Sequence, residues 1–373
     1  MKILFVSNLP APYRVDFFNR LGKYCDLTVC FERGSSTERN VKWENKTNRN
    51  YKEIFCKARL LGVDKTIGLD LVKKVKQEKF DHLIISGYAS PSVIFLILYC
   101  QRKKIPYFIE TDGGFYKKDK FFSGLIKKKV LKKAKGIFTT CDELVKYYKE
   151  IEYKGEIYKY PISSIWNEDI FKQIATDLEK TNLRKEIGIR EKNVVITVGR
   201  FSYKNGYGKG YDKILQAAQI LKENSIAWLV IGGEPSEEFV EMKKTMGLDN
   251  VYFIDFKQKE ELKKYYRLSD VFVLMTVKDV WGMVINEAMS CGLPVITTDK
   301  CIAGLELIQN GENGYIVPVG DSDALAEKVN ELIKNDKIRE KMSKNNLEKI
   351  KLWTIESMVK KHLDVLGINN KSS

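Results

Sequence analysis

Short apolar runs alternate with longer amphipathic stretches along the whole chain. In the first half the runs are KILFVS at 2–7, DLTVCF at 26–31, DHLIIS at 81–86, IPYFIE at 105–110 and GIFTT at 136–140. In the second half they are NVVITVG at 193–199, IAWLVIG at 226–232, VYFID at 251–255, VFVLM at 271–275, LPVIT at 293–297 and GYIVP at 314–318. Continuous apolar runs bounded by Gly, Pro or Asp predict strands buried on both faces. Helix-length segments between them make repeated βαβ units, hence two parallel sheets of an α/β protein. The division is predicted between Tyr160 and Asn193, where Pro161, SSIWNED and a charged LEKTNLRKEIG stretch follow one another. From Trp353 the chain reads as one more amphipathic helix before a polar NNKSS. Doubly wound domains bind ligands at the carboxyl ends of their strands, so the site is expected there, in a cleft between the two domains.

Composition narrows this picture in four ways. A length of 373 residues suits two domains, and 44% hydrophobic with 30% charged residues excludes a disordered chain. The longest strongly apolar run, SVIFLILYC at 92–100, is far short of the roughly 18 residues a membrane-spanning helix needs, and MKILFVSNLP lacks the apolar core of a signal peptide. A net charge of +15 favours polyanionic partners, yet no zinc-finger, RRM or KH pattern points to nucleic acid. Seven scattered cysteines without a CxxC pair predict reduced thiols, and His82 and His362 are too far apart in sequence to suggest a metal site.

The chemistry gathers in two segments. DVWGMVINEAMSCGLP runs from Asp279 to Pro294, with Asp279 and Glu287 eight positions apart. Gly282 and Met283 lie between a predicted strand and a helix beginning near Val284. A glycine there lets a helix N-terminus approach a phosphate. One turn into the helix, Glu287 is placed to accept two ribose hydroxyls, and Asp279 on the loop to hold sugar hydroxyls. The bland alternative makes Asp279 a turn residue and Glu287 a surface one. The second segment, GRFSYKNGYGKGYD from Gly199 to Asp212, follows a buried strand. Arg200, Lys204 and Lys209 could converge on a diphosphate and stabilise its charge as a metal does elsewhere; the alternative is a flexible loop with solvated cations.

Together these segments resemble the retaining GT-B glycosyltransferases of family 4, or group 1, and more narrowly a bacterial surface-polysaccharide branch. The resemblance rests on Arg200 with Lys209-Gly210, on the acidic pair Asp279 and Glu287, on EAMSCGLPVI at 287–296 and on LIQNGENGYIVPVGD at 307–321. PAPYRVDFFNRL at 10–21 and YPISSIWNEDI at 160–170 carry it into the first half. It implies two Rossmann-like domains: residues 1–165 for the acceptor and 166–353 for the nucleotide-sugar, with the helix 354–373 crossing back to the first. It implies that Glu287 binds the donor ribose and that Asp279, where the family usually has Glu, contacts the transferred sugar. Arg200 and Lys209 bind the diphosphate, with Lys204 a competitor across the apparent NGYG insertion. The backbone at Gly282, Met283 and Val284 contacts phosphates or sugar. In the first half ETDGG stands where many members have a histidine, so Asp112 is the candidate to hold the sugar or orient the acceptor; a turn role before Gly113-Gly114 is the alternative. Arg14 adds to phosphate binding or sits on the surface.

The resemblance thus implies a metal-independent, retaining hexosyltransferase without a cofactor, moving sugar from a nucleotide-sugar, UDP by the family's habit, to a lipid-linked or oligosaccharide acceptor in capsule, exopolysaccharide or lipopolysaccharide synthesis. A nucleotide-sugar epimerase or phosphorylase on the same fold, or a non-catalytic membrane-associated subunit, stays open. Between Lys117 and Lys135 stand nine lysines and one acid, Asp119. Phe122, Ile126, Val130 and Ala134 recur at helical spacing with Leu125 beside them, which predicts an amphipathic helix with a basic face. Such a helix suits an anionic membrane, with Tyr116, Phe121 and Phe122 entering the interface. The expected location is the cytoplasm, peripherally on the inner face of the cell membrane.

Overall fold

The computed structural model describes residues 1–34, 48–62, 65–115, 121–201 and 203–368. The chain divides into two compact units, Met1–Ser164 with Trp353–Ser373, and Ile165–Leu352.

In unit 1, β1 (Lys2–Ser7) leads through α1 (Pro12–Leu21) to β2 (Asp26–Phe31) and β3 (Lys52–Phe55). A small hairpin, β4 (Arg59–Leu61) and β5 (Lys65–Ile67), precedes α2 (Asp70–Gln77). Then β6 (His82–Ser86), α3 (Pro91–Lys103), β7 (Phe108–Glu110), α4 (Phe121–Lys132), β8 (Gly136–Thr139), α5 (Asp142–Glu150) and β9 (Glu156–Lys159) alternate. The main sheet has the order β3-β2-β1-β6-β7-β8-β9, all parallel. Its central strands are apolar because helices cover both faces: Ile3 through Val6 and Leu83 through Ile85 are each at most 1% exposed. The run at 92–100 lies within the partly buried helix α3.

Unit 2 contains α6 (Asp177–Glu186), β10 (Asn193–Val198), α7 (Tyr211–Ile220), β11 (Ile226–Ile231), α8 (Glu237–Thr245), β12 (Val251–Ile254) and α9 (Lys259–Leu268). It continues with β13 (Val271–Leu274), α10 (Met283–Ser290), β14 (Val295–Thr298), α11 (Ile302–Leu307), β15 (Gly314–Val317), α12 (Ser322–Lys334) and α13 (Asp336–Ile350). Its parallel sheet runs β12-β11-β10-β13-β14-β15. The strand order reverses between β10 and β13, which opens a crevice at their carboxyl ends.

Helix α14 (Ile355–Leu366) belongs to unit 1, where it packs on α1. Six of its side chains are buried, among them Met358, Val359, His362 and Leu363. Thr354 caps its start by accepting from the Ser357 N–H at 3.2 Å.

Candidate functional site

In unit 2 the reversal crevice is lined by the loop after β10 and the loop after β13. The first loop closes on the second through backbone. The Gly208 carbonyl accepts the Val277 N–H at 3.1 Å and the Thr276 hydroxyl at 3.0 Å. Gly210 has φ +69°, and a Cβ there would stand 2.0 Å from the Met275 carbonyl oxygen. Only glycine lets α7 begin this close to the end of β13. The result places Lys209 against the second loop: its Nζ lies 2.6 Å from Asp279 Oδ2, with both side chains less than a fifth exposed.

The backbone of Asp279 is itself fixed, its N–H on the Lys300 carbonyl at 2.8 Å and its carbonyl on the Ile302 N–H at 3.2 Å. Trp281 turns the chain into α10, with its indole N–H on Asn286 Oδ1 at 2.9 Å. Gly282 then sits at φ +100°, and a Cβ there would meet the Cys301 sulfur at 2.8 Å. No side chain caps α10 at Gly282, and none caps α7 at Gly210. Both helix starts therefore present backbone N–H groups and positive dipole ends toward the crevice. Met283 and Val284, half-buried, form the first turn of α10.

Glu287 follows one turn on. Tyr266 donates to its Oε2 at 3.1 Å. Burial, and after it the Glu287 charge, push the Tyr266 hydroxyl well above its ordinary value, so it remains a donor. Arg200 and Lys204 lie exposed on the loop after β10. Lys204, Asn205 and Gly206 take left-handed backbone conformations in the run of turns from Tyr203 to Lys209. Lys209, at the end of that run, is the cation paired with Asp279.

Unit 1 builds a second polar cluster at the carboxyl end of β7. Arg14, 2% exposed, puts Nη1 3.0 Å from Glu110 Oε1 and Nη2 2.9 Å from Oε2, and its Nη2 also pairs with Asp112 Oδ1. Asp112 Oδ2 takes the Tyr13 hydroxyl at 2.7 Å and Oδ1 the Tyr160 hydroxyl at 3.1 Å. The His362 ring reaches Glu110 Oε1 with Nε2 at 3.1 Å. This corrects the expectation for Arg14. It lies on the buried face of α1, and two carboxylates occupy its charge, so it fixes Asp112 instead of meeting a phosphate. Asp112 itself keeps 31% of its side chain exposed.

With this geometry in place, comparison with known proteins identifies the second unit. Residues 179–349 match the family model described as Glycosyl transferases group 1. Unit 2 is thus similar to the group 1 glycosyltransferases over most of its length. N-acetyl-alpha-D-glucosaminyl L-malate synthase of Bacillus anthracis is 30% identical to the chain over 179 residues, covering 46% of this chain and 44% of that protein. The capsular polysaccharide biosynthesis glycosyltransferase CapM of Staphylococcus aureus is 31% identical over 145 residues, 38% of each chain. The chain thus spans less than half the length of these curated relatives. Among solved structures, Anabaena HepE in complex with UDP and glucose aligns with a TM-score of 0.73 at 15% identity, covering 98% of this chain and 99% of that one. That likeness takes in both units, and the fold is GT-B with two Rossmann-like α/β units.

In unit 2, Lys209 from the loop after β10 meets Asp279, the α10 start and Glu287 from the segment after β13. One cation, two helix N-termini and two carboxylates suit a ligand with a charged middle and hydroxyl-bearing ends. A pocket of about 290 Å³ opens elsewhere in the domain, at the amino ends of β13 and β14 beside Asp270 and Leu293. That position is opposite the carboxyl ends where a doubly wound sheet takes its ligands; within the pocket Asp270 pairs with Lys180 at 2.7 Å and Arg267 with Glu179 at 2.7 Å. Among the described residues no group of three or more His, Cys, Asp or Glu gathers as a metal site. The sequence reading did not single out Tyr266, Trp281 or Cys301. Tyr266 and Cys301 act through contacts twenty or more residues away, and Trp281 through a side chain five positions on that no motif marks.

The basic helix forms over Phe121–Lys132, with a different apolar face than expected. Val130, Leu131 and Ala134 are buried, whereas Leu125 and Ile126 are 53% and 50% exposed. Tyr116, Lys117, Lys118, Asp119 and Lys120 lie outside the described residues, as do the side chains of Phe121 and Phe122. No helix among the described residues is long and apolar enough to cross a membrane.

Proposed function

We propose that the protein is a retaining, metal-independent hexosyltransferase that moves a sugar from a UDP-sugar to a lipid-linked saccharide during assembly of a bacterial surface polysaccharide. The observation that carries this reading is the Lys209–Asp279 pair set between two glycine-started helices at the reversal of the unit 2 sheet. The UDP assignment draws on the ligand named for HepE, and the polysaccharide on the capsular role named for CapM. In the proposed step the bond from the anomeric carbon to the diphosphate oxygen breaks, and the acceptor oxygen bonds to that carbon on the same face. The acceptor proton goes to the departing phosphate. Lys209 and the N–H groups opening α10 stabilise the charge that grows on the diphosphate. Glu287 holds the ribose, and Asp279 the transferred sugar. Arg200 and Lys204 supply outer positive charge, and Asp112 in unit 1 acts on the acceptor side.

A thermal-shift panel of UDP, GDP, ADP, dTDP and CDP, with chelator present, tests the donor. A ligand at 100 times its Kd adds about 2.7 kcal/mol, so UDP should raise the melting temperature clearly, and Glu287→Ala should abolish the rise. If no nucleotide shifts the protein, the non-catalytic subunit becomes the better account. Turnover with inorganic phosphate would instead point to a phosphorylase.

A lipid-linked acceptor requires the protein at a membrane, and unit 1 offers a face for it. Helix α4 exposes Leu125 and Ile126 just before Lys127, Lys128 and Lys129, and α3 exposes Phe95 and Leu98 just before Arg102 and Lys103. Gln101 of α3 donates to the Lys129 carbonyl of α4 at 3.0 Å, which sets the two apolar pairs level, one turn before the contact. Neither helix contains an acid. Apolar side chains bordered by cations match an anionic bilayer. Exposed Lys132 and Lys133 are worth about 1 kcal/mol each at such a surface, so Lys132→Gln with Lys133→Gln should weaken binding to phosphatidylserine-containing vesicles by about thirtyfold. Unchanged co-sedimentation would remove the membrane from the proposal.

A further inference from the structure

Both ring nitrogens of His362 face acceptors. Nδ1 lies 2.8 Å from the Met358 carbonyl oxygen, and Nε2 lies 3.1 Å from Glu110 Oε1. A carbonyl cannot donate, so Nδ1 carries a proton. Glu110 is fully buried, and burial pushes its carboxyl up. The Arg14 guanidinium and the His362 hydrogen bond outweigh this and leave the carboxyl at about 2. The buried Arg14 guanidinium reaches both oxygens of Glu110, at 3.0 and 2.9 Å, so the carboxylate is ionised and only accepts, and Nε2 carries a proton as well.

The surroundings fit a charged ring. Phe138 of β8 stacks on it at 4.5 Å with an interplanar angle of 8°, Phe17 of α1 stands at 4.8 Å and Tyr160 beyond β9 at 5.0 Å. Aromatic faces favour a cation. Tyr160 stays a neutral donor, its hydroxyl pushed well up, first by burial and then by Glu110 and Asp112. The charged groups close to neutrality: Arg14 and a His362 cation against Glu110 and Asp112. Behind the ring, α14 is anchored by its own buried apolar face. The chain of contacts then runs outward, from His362 to Glu110, to Arg14, to the partly exposed carboxylate of Asp112.

We infer that His362 is an imidazolium and that, with Glu110, it is a positioning residue: through Arg14 it fixes the carboxylate of Asp112 for the acceptor. The acceptor half of this statement rests on the proposed glycosyl transfer; the protonation half does not. Neither His362 nor Glu110 reaches the exposed edge of the cluster. Their effect is on where Asp112 stands, together with the Tyr13 and Tyr160 hydroxyls that donate to it.

The test uses the full chain. It has two histidines, so the ring signals lost in His362→Gln assign the rest to His82. Nitrogen-15 spectra of the wild type at neutral pH should show both His362 nitrogens protonated, and Glu110→Gln should return the ring to neutral. A neutral wild-type ring with hydrogen on Nδ1 alone overturns the inference. In transfer assays His362→Phe, which keeps the aromatic packing, should raise the acceptor KM on the order of tenfold to a hundredfold. Donor KM and the UDP thermal shift should not move. His362→Gln can still donate to Glu110 and should lie between the two, and it replaces the phenylalanine variant if that one fails to fold. An acceptor KM at the wild-type value in either folded variant overturns the positioning role. A wild type that transfers no sugar defeats the glycosyltransferase reading instead, and the ring spectrum still decides the anchor.

Discussion

Lys209→Ala should lower kcat by about 10²–10³-fold while the protein keeps its fold. The side chain is one of the few unit 2 cations placed by structure and not by flexible reach. Gly210 brings α7 against Met275, and the Gly208 carbonyl is held from two sides, so the Lys209 backbone cannot drift. A group fixed before the reaction stabilises developing charge without reorganising, and its loss appears in kcat more than in KM. Lys209→Arg should recover part of the rate, because charge returns in a different geometry. Single-turnover rates at saturating UDP-sugar, with circular dichroism to verify the fold, decide the matter. A wild-type kcat in the alanine variant would move the diphosphate to Arg200 or Lys204.

Breaking the unit 1 cluster should be costly in a different way. Glu110→Ala takes from buried Arg14 one of its two carboxylate partners, and breaking a buried pair lowers stability by about 3–5 kcal/mol. Denaturant melts should show it as an earlier loss of unit 1. The same carboxyl gives a pH signature. Its folded value of about 2 lies below its ordinary 4.5, because Arg14 and His362 overcome the upward push of burial. Its contribution is therefore fully present above about 4.5 and drains away as the pH falls toward 2. Wild-type stability should decline through that window more steeply than that of Glu110→Gln, in which no carboxyl titrates. Parallel pH profiles for the two proteins would show that Glu110 is not held ionised in the fold.

The strands that lie inside the sheets were readable because both their faces are covered. KILFVS, DLTVCF, NVVITV and IAWLVI form within a residue of the apolar runs. The run at 105–110 yields a strand only from Phe108, because Pro106 has no N–H for the ladder. The edges of the unit 1 sheet were not readable. KEIF and EIYK, now β3 and β9, carry charges on solvated positions and show no continuous apolar run. In the site, Asp279 and Glu287 could be picked out because their spacing lies within one loop and one helix. Which lysine pairs with Asp279 could not, since it follows three consecutive left-handed residues, Lys204 to Gly206. Arg14 shows the limit most clearly. Its place at the start of α1 is legible, but the face it occupies is set by Glu110 and Asp112, nearly a hundred residues away. His362 is 252 residues from Glu110, and nothing in the chain between them announces the pair.

The two crossings between units have a consequence for synthesis. Residues 165–352 form an uninterrupted unit and can fold without waiting for a later segment. Unit 1 cannot, although most of it is made first. Arg14, Glu110 and Asp112 emerge early and wait for residue 362 before their cluster closes. A chain released before that point would hold a complete second unit beside a first one whose aromatic slot between Phe17, Phe138 and Tyr160 stands open. Such a product would be open to proteolysis at unit 1, and a chain that escapes that fate has been translated through α14.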